Sequence, residues 1–256
     1  MPTDDPSLFY TGVVAVLYGP LRSVGAPDPA PYARFIERAG EPALELGCGY
    51  GEPLLDLRAL GFDIEGLDSS PDMVDRCRAT ALERGLDVVV HHQPMESMHI
   101  DRQFRSIFLA GPTFNLLPDD DTALRALIQI RQHLAPGGSV LIPLFKPEPT
   151  PTKAFGRSRS HTGADGAEMK LTALSEERDE TARVQTTVLR YELTSSKGTI
   201  VEDRPWLLHW YSQADIGAIV EAAGLMVMRV LSEAGGPAGE YDSDIVLLLR
   251  HAQAAF

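Results

Sequence analysis

Cysteine is scarce in this chain of 256 residues, with Cys48 and Cys77 the only two. So low a count excludes a disulfide framework and a cysteine-rich zinc site, and it fits a reducing compartment. Long hydrophobic runs are also lacking. Although 44% of the residues are hydrophobic, no run is long or apolar enough to span a bilayer. The apolar stretch 8–18 follows Asp4 and Asp5, where a secretory leader would be basic, so it reads as a packed helix. The expected location is cytoplasmic. Positive charge is the third shortage: 23 Lys and Arg stand against 36 Asp and Glu, for a net charge of -13. The densest basic cluster, residues 153–159, is short. No basic stripe therefore marks a nucleic-acid face, and polyanions are repelled. His91, His92 and His161 lack metal-ligand spacing with another His or Cys, and no metal is expected. Three adjacent acids, Asp119, Asp120 and Asp121, read as a helix N-terminus rather than a divalent cation site.

What the chain does have is a glycine turn. In Glu45-Leu46-Gly47-Cys48-Gly49-Tyr50-Gly51 three glycines alternate where a short apolar run, 42–46, gives way to leucines at helical spacing, 54–60. Glycine tolerates positive φ and has no Cβ to hold a ligand away, and the amides at the helix start receive polar or anionic atoms. A second apolar run then ends in Asp68, followed by Ser69-Ser70-Pro71. An acid at the end of the second strand of an α/β nucleotide site accepts ribose hydroxyls. Taken alone it could equally cap the next helix, but the upstream glycine turn favours the ribose role. The spacing is G-x-G-x-G with Glu52 next, not the dinucleotide G-x-G-x-x-G, and no Walker lysine is present. A carboxylate at the helix start suits a nucleoside cofactor without phosphate better than a pyrophosphate. Cys48 needs no thiol chemistry, because a small, nearly apolar side chain fits such a turn.

A βα rhythm continues to residue 145. It predicts a helix over 72–84, a strand over 87–92, a strand over 104–109, a helix capped by Asp119–Asp121 and stopped at Pro136-Gly137-Gly138, and a fifth strand over 139–145. Residues 146–165 carry no period and read as a mobile loop. Alternating segments at 168–173, 182–193 and 199–208 predict three antiparallel strands, the last two joined by a turn at Ser195-Ser196-Lys197-Gly198. Ser212 caps a helix that ends at Gly224, and strands follow over 225–231 and 244–250 around a Gly-rich loop, 235–239.

Glu45 to Gly51, then Gly66-Leu67-Asp68-Ser69-Ser70-Pro71-Asp72-Met73, then Leu134-Ala135-Pro136-Gly137-Gly138, together resemble the class I S-adenosylmethionine-dependent methyltransferases of small-molecule type. The resemblance is close over residues 30–145 and looser from Trp206 onward. It implies an α/β, Rossmann-like fold: a seven-stranded, mostly parallel sheet with an antiparallel last strand, into which the alternating segments add a small antiparallel β insertion between strands five and six. The implied division is an N-terminal helical lid over 1–40, a cofactor core over 41–145, the insertion over 146–208 as substrate cover or dimer surface, and the rest of the sheet over 209–256. The implied cofactor is S-adenosyl-L-methionine, leaving S-adenosyl-L-homocysteine as product. Its implied contacts are Glu45, Gly47, Cys48, Gly49 and Gly51 in the turn, Asp68 and Ser69 at the ribose, Met73, Met95 and Glu96 at the adenine, and Leu109 and Ala110 beyond the fourth strand. Relatives carry Asp after the third strand to reach the adenine amino group, and here Gln93-Pro94-Met95-Glu96 stands in that stretch. Gln93 or Glu96 is the substitute acceptor.

Acceptor chemistry is less legible. Displacement at a sulfonium methyl needs alignment and exclusion of water more than acid or base help. A neutral amine needs no base, whereas a phenol with pKa near about 10 profits from one. Phe114 and Asn115 follow the fourth strand at the open end of the sheet. Phe9, Tyr10 and Tyr18 on the first helix, and Trp206, Trp210 and Tyr211 at the return of the insertion, offer aromatic walls for planar or cationic groups. His209 is the candidate base. The expectation is methyl transfer to nitrogen or oxygen of a small molecule, by a monomer or homodimer. The alternatives are a protein or peptide methyltransferase, a non-catalytic cofactor-binding protein and, more distantly, an NAD-dependent oxidoreductase.

Overall fold

The structure is a computed structural model and describes residues 9–22, 25–232, 235–239, 242 and 244–252. Asp4, Asp5 and Leu8, used in the reading above, lie outside the described residues. In chain order the elements are α1 (Val13–Leu21), α2 (Ala30–Ala39), β1 (Ala43–Leu46), α3 (Leu54–Ala59), β2 (Ile64–Asp68), α4 (Pro71–Glu83), β3 (Val90–His92), β4 (Phe104–Phe108), α5 (Asp120–His133) and β5 (Leu134–Leu144). Four strands of the insertion follow: β6 (Ser158–Thr162), β7 (Glu168–Asp179), β8 (Val184–Ser195) and β9 (Gly198–His209). The chain then closes the first sheet with α6 (Gln213–Ala222), β10 (Leu225–Ser232) and β11 (Ile245–His251).

The main sheet has seven strands in the order β10-β11-β5-β4-β1-β2-β3. β1 pairs in parallel with both β2 and β4, Ala43 facing Ile64 on one side and Ser106 on the other. β11 runs antiparallel to β5 and β10. The strand order reverses beside β1, so the carboxyl ends of β1, β2 and β4 open onto the crevice where α/β sheets hold ligands. One face of the sheet is filled by Leu44, Phe104, Ile107, Leu127 and Ile130, under α5 and α6. The other is filled by Ile36, Ala43, Leu54, Leu57 and Val74, under α2, α3 and α4. Among the described residues no helix is long and apolar enough to cross a membrane.

Several boundaries differ from the sequence expectation. Residues 146–165 are not a featureless loop, because β6 pairs with β7 through a register that sets Ser158 opposite Thr172. Every β6 residue is exposed, so no alternation of polarity marked it, and pairing with β7 makes it a strand. The insertion is thus a four-stranded sheet in the order β6-β7-β8-β9, not three strands. Its Ser195–Gly198 pair closes the β8–β9 turn at the expected place. α5 stops at His133 and the chain extends at Leu134, before Pro136-Gly137-Gly138, since Leu134 already bridges to Phe104 of β4. The third strand is confined to Val90–His92, where β2 offers partners. Phe9 and Tyr10 precede α1 in a turn rather than lying on it.

α1 packs on the insertion. Phe9, Val13, Val14, Leu17 and Leu21 are buried with Tyr191 against Met169, Leu171, Leu189 and Trp206 of the small sheet. α2 covers the main sheet instead, with Tyr32 stacked on Phe108 at 5.1 Å.

Candidate active site

The site grows from the turn after β1. The amides of Gly47 and Cys48 donate to the Leu67 carbonyl at 2.7 and 3.1 Å, which folds the turn back over the end of β2. Gly47 has φ 68°, and a Cβ there would lie 2.5 Å from Cγ2 of Thr113. Backbone conformation and space both demand glycine. Gly51, at φ 103°, serves packing: its Cβ would press on Leu55 at 2.7 Å and on Sγ of Cys77 at 2.9 Å.

Asp68 ties this turn to the next helix. Its Oδ2 accepts the Gly49 amide and its Oδ1 the Ser70 amide, both at 2.8 Å. The cap of α4 is Ser70, whose Oγ accepts from the Met73 amide at 3.2 Å, so the capping role falls two residues beyond Asp68. Burial pushes the Asp68 carboxyl up from its ordinary pKa, and the amides of Ser70 and Gly49 pull the other way. Ser70 Oγ also donates to the Tyr10 carbonyl at 2.7 Å, and Asp72 accepts the Gly12 amide at 2.6 Å. The start of α4 thereby fastens the segment leading into α1 across the crevice.

A cavity of about 320 Å³ lies beneath this clasp. Of the residues singled out from sequence, Tyr10, Tyr18, Gly47, Gly49, Asp68, Ser69, Met73, Met95 and Glu96 line it. Thr113, Leu116, Leu117, Thr122 and Arg125 line it as well and were missed. They come from the chain after β4 and from the first turns of α5, where the Asp119 cap was the available signal. Burial raises the Tyr10 and Tyr18 phenols above their ordinary pKa, most strongly for Tyr10, so both stay neutral and act through hydrogen bonds and ring faces.

The other singled-out residues lie off the cavity wall. Cys48 is buried behind the turn, and Leu109 and Ala110 pack into the core. Phe114 is buried with its ring 5.9 Å from that of Tyr211. Asn115 is fully buried; its Nδ2 donates to the carbonyls of Phe145 at 3.0 Å and His209 at 2.7 Å, and its Oδ1 accepts the Phe145 amide at 3.2 Å. Trp206 belongs to the face under α1, and Trp210 sits with the Arg178 guanidinium 4.2 Å from its ring centre. His209 is buried, with Nδ1 3.0 Å from the Tyr211 hydroxyl and Nε2 3.4 Å from Asp120. Burial is the main cause of its lowered pKa, so the imidazole is held neutral.

Gln93 is also occupied. Its Nε2 donates to the His99 carbonyl at 3.1 Å and its Oε1 accepts the His99 amide at 2.6 Å.

Glu45 tests whether this site fits a cofactor with a cationic end. It is 0% exposed on β1, and neither carboxylate oxygen has a hydrogen-bond partner. Burial, then the nearby Cys77 and Asp68, push its pKa well up, against a smaller opposing influence of the Leu54 amide. An uncompensated buried carboxyl is costly unless a cation arrives. A cationic group seated against the glycine turn would supply one. The donor set fits.

Residues 43–138 match the family model of a methyltransferase domain. The dTDP-3-amino-3,4,6-trideoxy-alpha-D-glucopyranose N,N-dimethyltransferase of Streptomyces venezuelae is 26% identical over 235 residues, 91% of this chain and 92% of that one. The methyltransferase GfsG of Streptomyces halstedii is 29% identical over 115 residues, which is 43% of this chain and 40% of that protein. Among solved structures, the CcbJ methyltransferase of Streptomyces caelestis superposes with a TM-score of 0.76 at 20% identity, covering 96% of this chain and 99% of that one.

Proposed function

We propose that this chain, which carries a methyltransferase domain over residues 43–138 on a class I sheet, methylates the amine nitrogen of a small, sugar-like acceptor with S-adenosyl-L-methionine. The cofactor, when bound, supplies an electrophilic methyl carbon on a sulfonium, and its loss leaves S-adenosyl-L-homocysteine. The glycine turn, whose Gly47 and Gly49 line the cavity, and the Glu45 carboxylate would hold the amino-acid end. Asp68 accepts from the ribose, and Met73 and Met95 flank the base. Tyr10 and Tyr18 form the wall across from the turn, orient the acceptor and keep water out.

The observation that carries the choice of nitrogen is the cavity's set of titratable side chains: Tyr10, Tyr18, Asp68, Glu96 and Arg125. No histidine is in the lining among the described residues, and both phenols are held protonated. A neutral amine needs no more than that: its lone pair forms the N–C bond as the C–S bond breaks, and the proton leaves the product ammonium to solvent. Similarity along 91% of the chain to an amino-sugar N,N-dimethyltransferase supports the same acceptor class.

The test is mass spectrometry of amino sugars and their hydroxy counterparts incubated with enzyme and labelled cofactor. Methyl gain on the amines alone is expected; gain on hydroxy compounds alone overturns the choice of nitrogen.

A further inference from the structure

We propose that Glu96 and Arg125 together read the edge of the adenine ring, in place of the carboxylate this chain lacks after β3; the inference rests on the cofactor reading above. Gln93, the polar residue nearest that place in sequence, spends both ends of its amide on the backbone of His99. Pro94 has no N–H to offer, and the Met95 side chain is apolar and buried.

Glu96 is the next position. It lines the cavity, is half-buried and forms no ion pair among the described residues. Arg125 lines the same cavity from the first turns of α5, on an element far from Glu96 in sequence. One of its guanidinium nitrogens donates to Thr122 Oγ1 at 2.8 Å. A guanidinium has five N–H donors, so the remainder are available to a ligand. The two side chains make no salt bridge with each other among the described residues, although both reach one cavity. An acceptor and a donor are thus left apart, with the apolar Met95, Leu116 and Leu117 also on the wall.

Adenine asks for that combination. Its 6-amino group donates, and the ring nitrogens on either side of it accept. Glu96 takes the amino hydrogen and Arg125 donates to the adjacent ring nitrogen, while the apolar side chains cover the ring faces. Because Asp68 fixes the ribose, the base is directed toward this far end of the cavity.

Calorimetry with S-adenosyl-L-homocysteine and its 6-oxo (hypoxanthine) analogue tests the assignment on the wild type, Glu96→Gln and Arg125→Met, with far-UV circular dichroism checking each fold. The wild type is expected to prefer the 6-amino compound. Each variant should bind that compound roughly tenfold more weakly, the size of one charge-assisted hydrogen bond. Glu96→Gln should also lose the preference, because a carboxamide serves either a 6-amino or a 6-oxo group. Folded variants with wild-type affinity and preference would overturn the assignment while leaving the cofactor reading intact. A wild type that binds neither compound overturns the cofactor reading itself.

Discussion

Asp68 and Gly49 are joined at 2.8 Å, carboxylate oxygen to amide, while the other oxygen of Asp68 holds the Ser70 amide at the same distance. One side chain therefore sets the separation between the glycine turn and the start of α4. Asp68→Ala leaves two amides without that partner and removes the proposed ribose acceptor. Affinity for S-adenosyl-L-homocysteine is expected to fall by about 1.5–3 kcal/mol, read by calorimetry. An unchanged Kd would reduce Asp68 to a fastener of the turn.

Under the proposed function, Glu45 sets affinity against stability. Its carboxyl pKa is raised by burial, so the folded chain holds that proton more tightly than the unfolded chain does. As pH rises from the ordinary carboxylate range, near about 4.3, toward the raised folded value, the unfolded state ionises first and stability of the ligand-free protein declines. Glu45→Gln removes that slope: the ligand-free variant should melt at a higher temperature than the wild type at neutral pH, yet bind cofactor more weakly. Cofactor binding to the wild type should also release protons, seen as a calorimetric enthalpy that changes with the ionisation enthalpy of the buffer. A buffer-independent enthalpy contradicts the role given to Glu45.

His209 gives a slope of the opposite sign. Burial lowers its pKa, so below the unfolded value of about 6.5 the unfolded chain binds the extra proton and stability falls with further acidification. Thermal melts between neutral and mildly acid pH should show this decline in the wild type and a shallower one in His209→Gln. The rate at saturating amine should change little in that variant, because the imidazole meets Tyr211 and Asp120 and His209 is not among the residues that line the cavity. A variant whose rate collapses without loss of stability would restore His209 as a base.

Asn115→Ala tests the join between the two sheets. The side chain is fully buried and satisfies the Phe145 amide and the carbonyls of Phe145 and His209. Its removal leaves backbone groups unpaired, at about 1–3 kcal/mol each for those that water cannot reach. Chemical denaturation should show a loss of that order, with cofactor affinity much less affected than in Asp68→Ala. Equal losses of affinity in the two variants would mean that Asn115 also shapes the cavity.

One side of the cavity wall was legible in the sequence because it is local. Gly47, Gly49, Asp68 and Met73 lie within one βαβα stretch, and glycine spacing, strand ends and caps fix where their backbones go. Thr113, Thr122 and Arg125 reach the same cavity only because the sheet brings β4 and α5 alongside β1, which no spacing records. His209 and Asn115 lie off that wall for the same reason. A polar residue beside aromatics reads as chemistry, and its folded partners, here Tyr211, Asp120 and Phe145, are not recorded by spacing. β6 was invisible because a strand exposed on every residue carries no periodic signal.

Asn115 holds the chain where it departs for the insertion, at Phe145, and where it comes back, at His209. Everything between those two points is a closed excursion with both feet on one amide. Its strands support α1, and Tyr10 and Tyr18 lie just before and within that helix. The excursion reaches the cavity by way of α1, and the segment before α1 is fastened to the start of α4 through Ser70 and Asp72, so a change made far out in the small sheet has one route to the glycine turn.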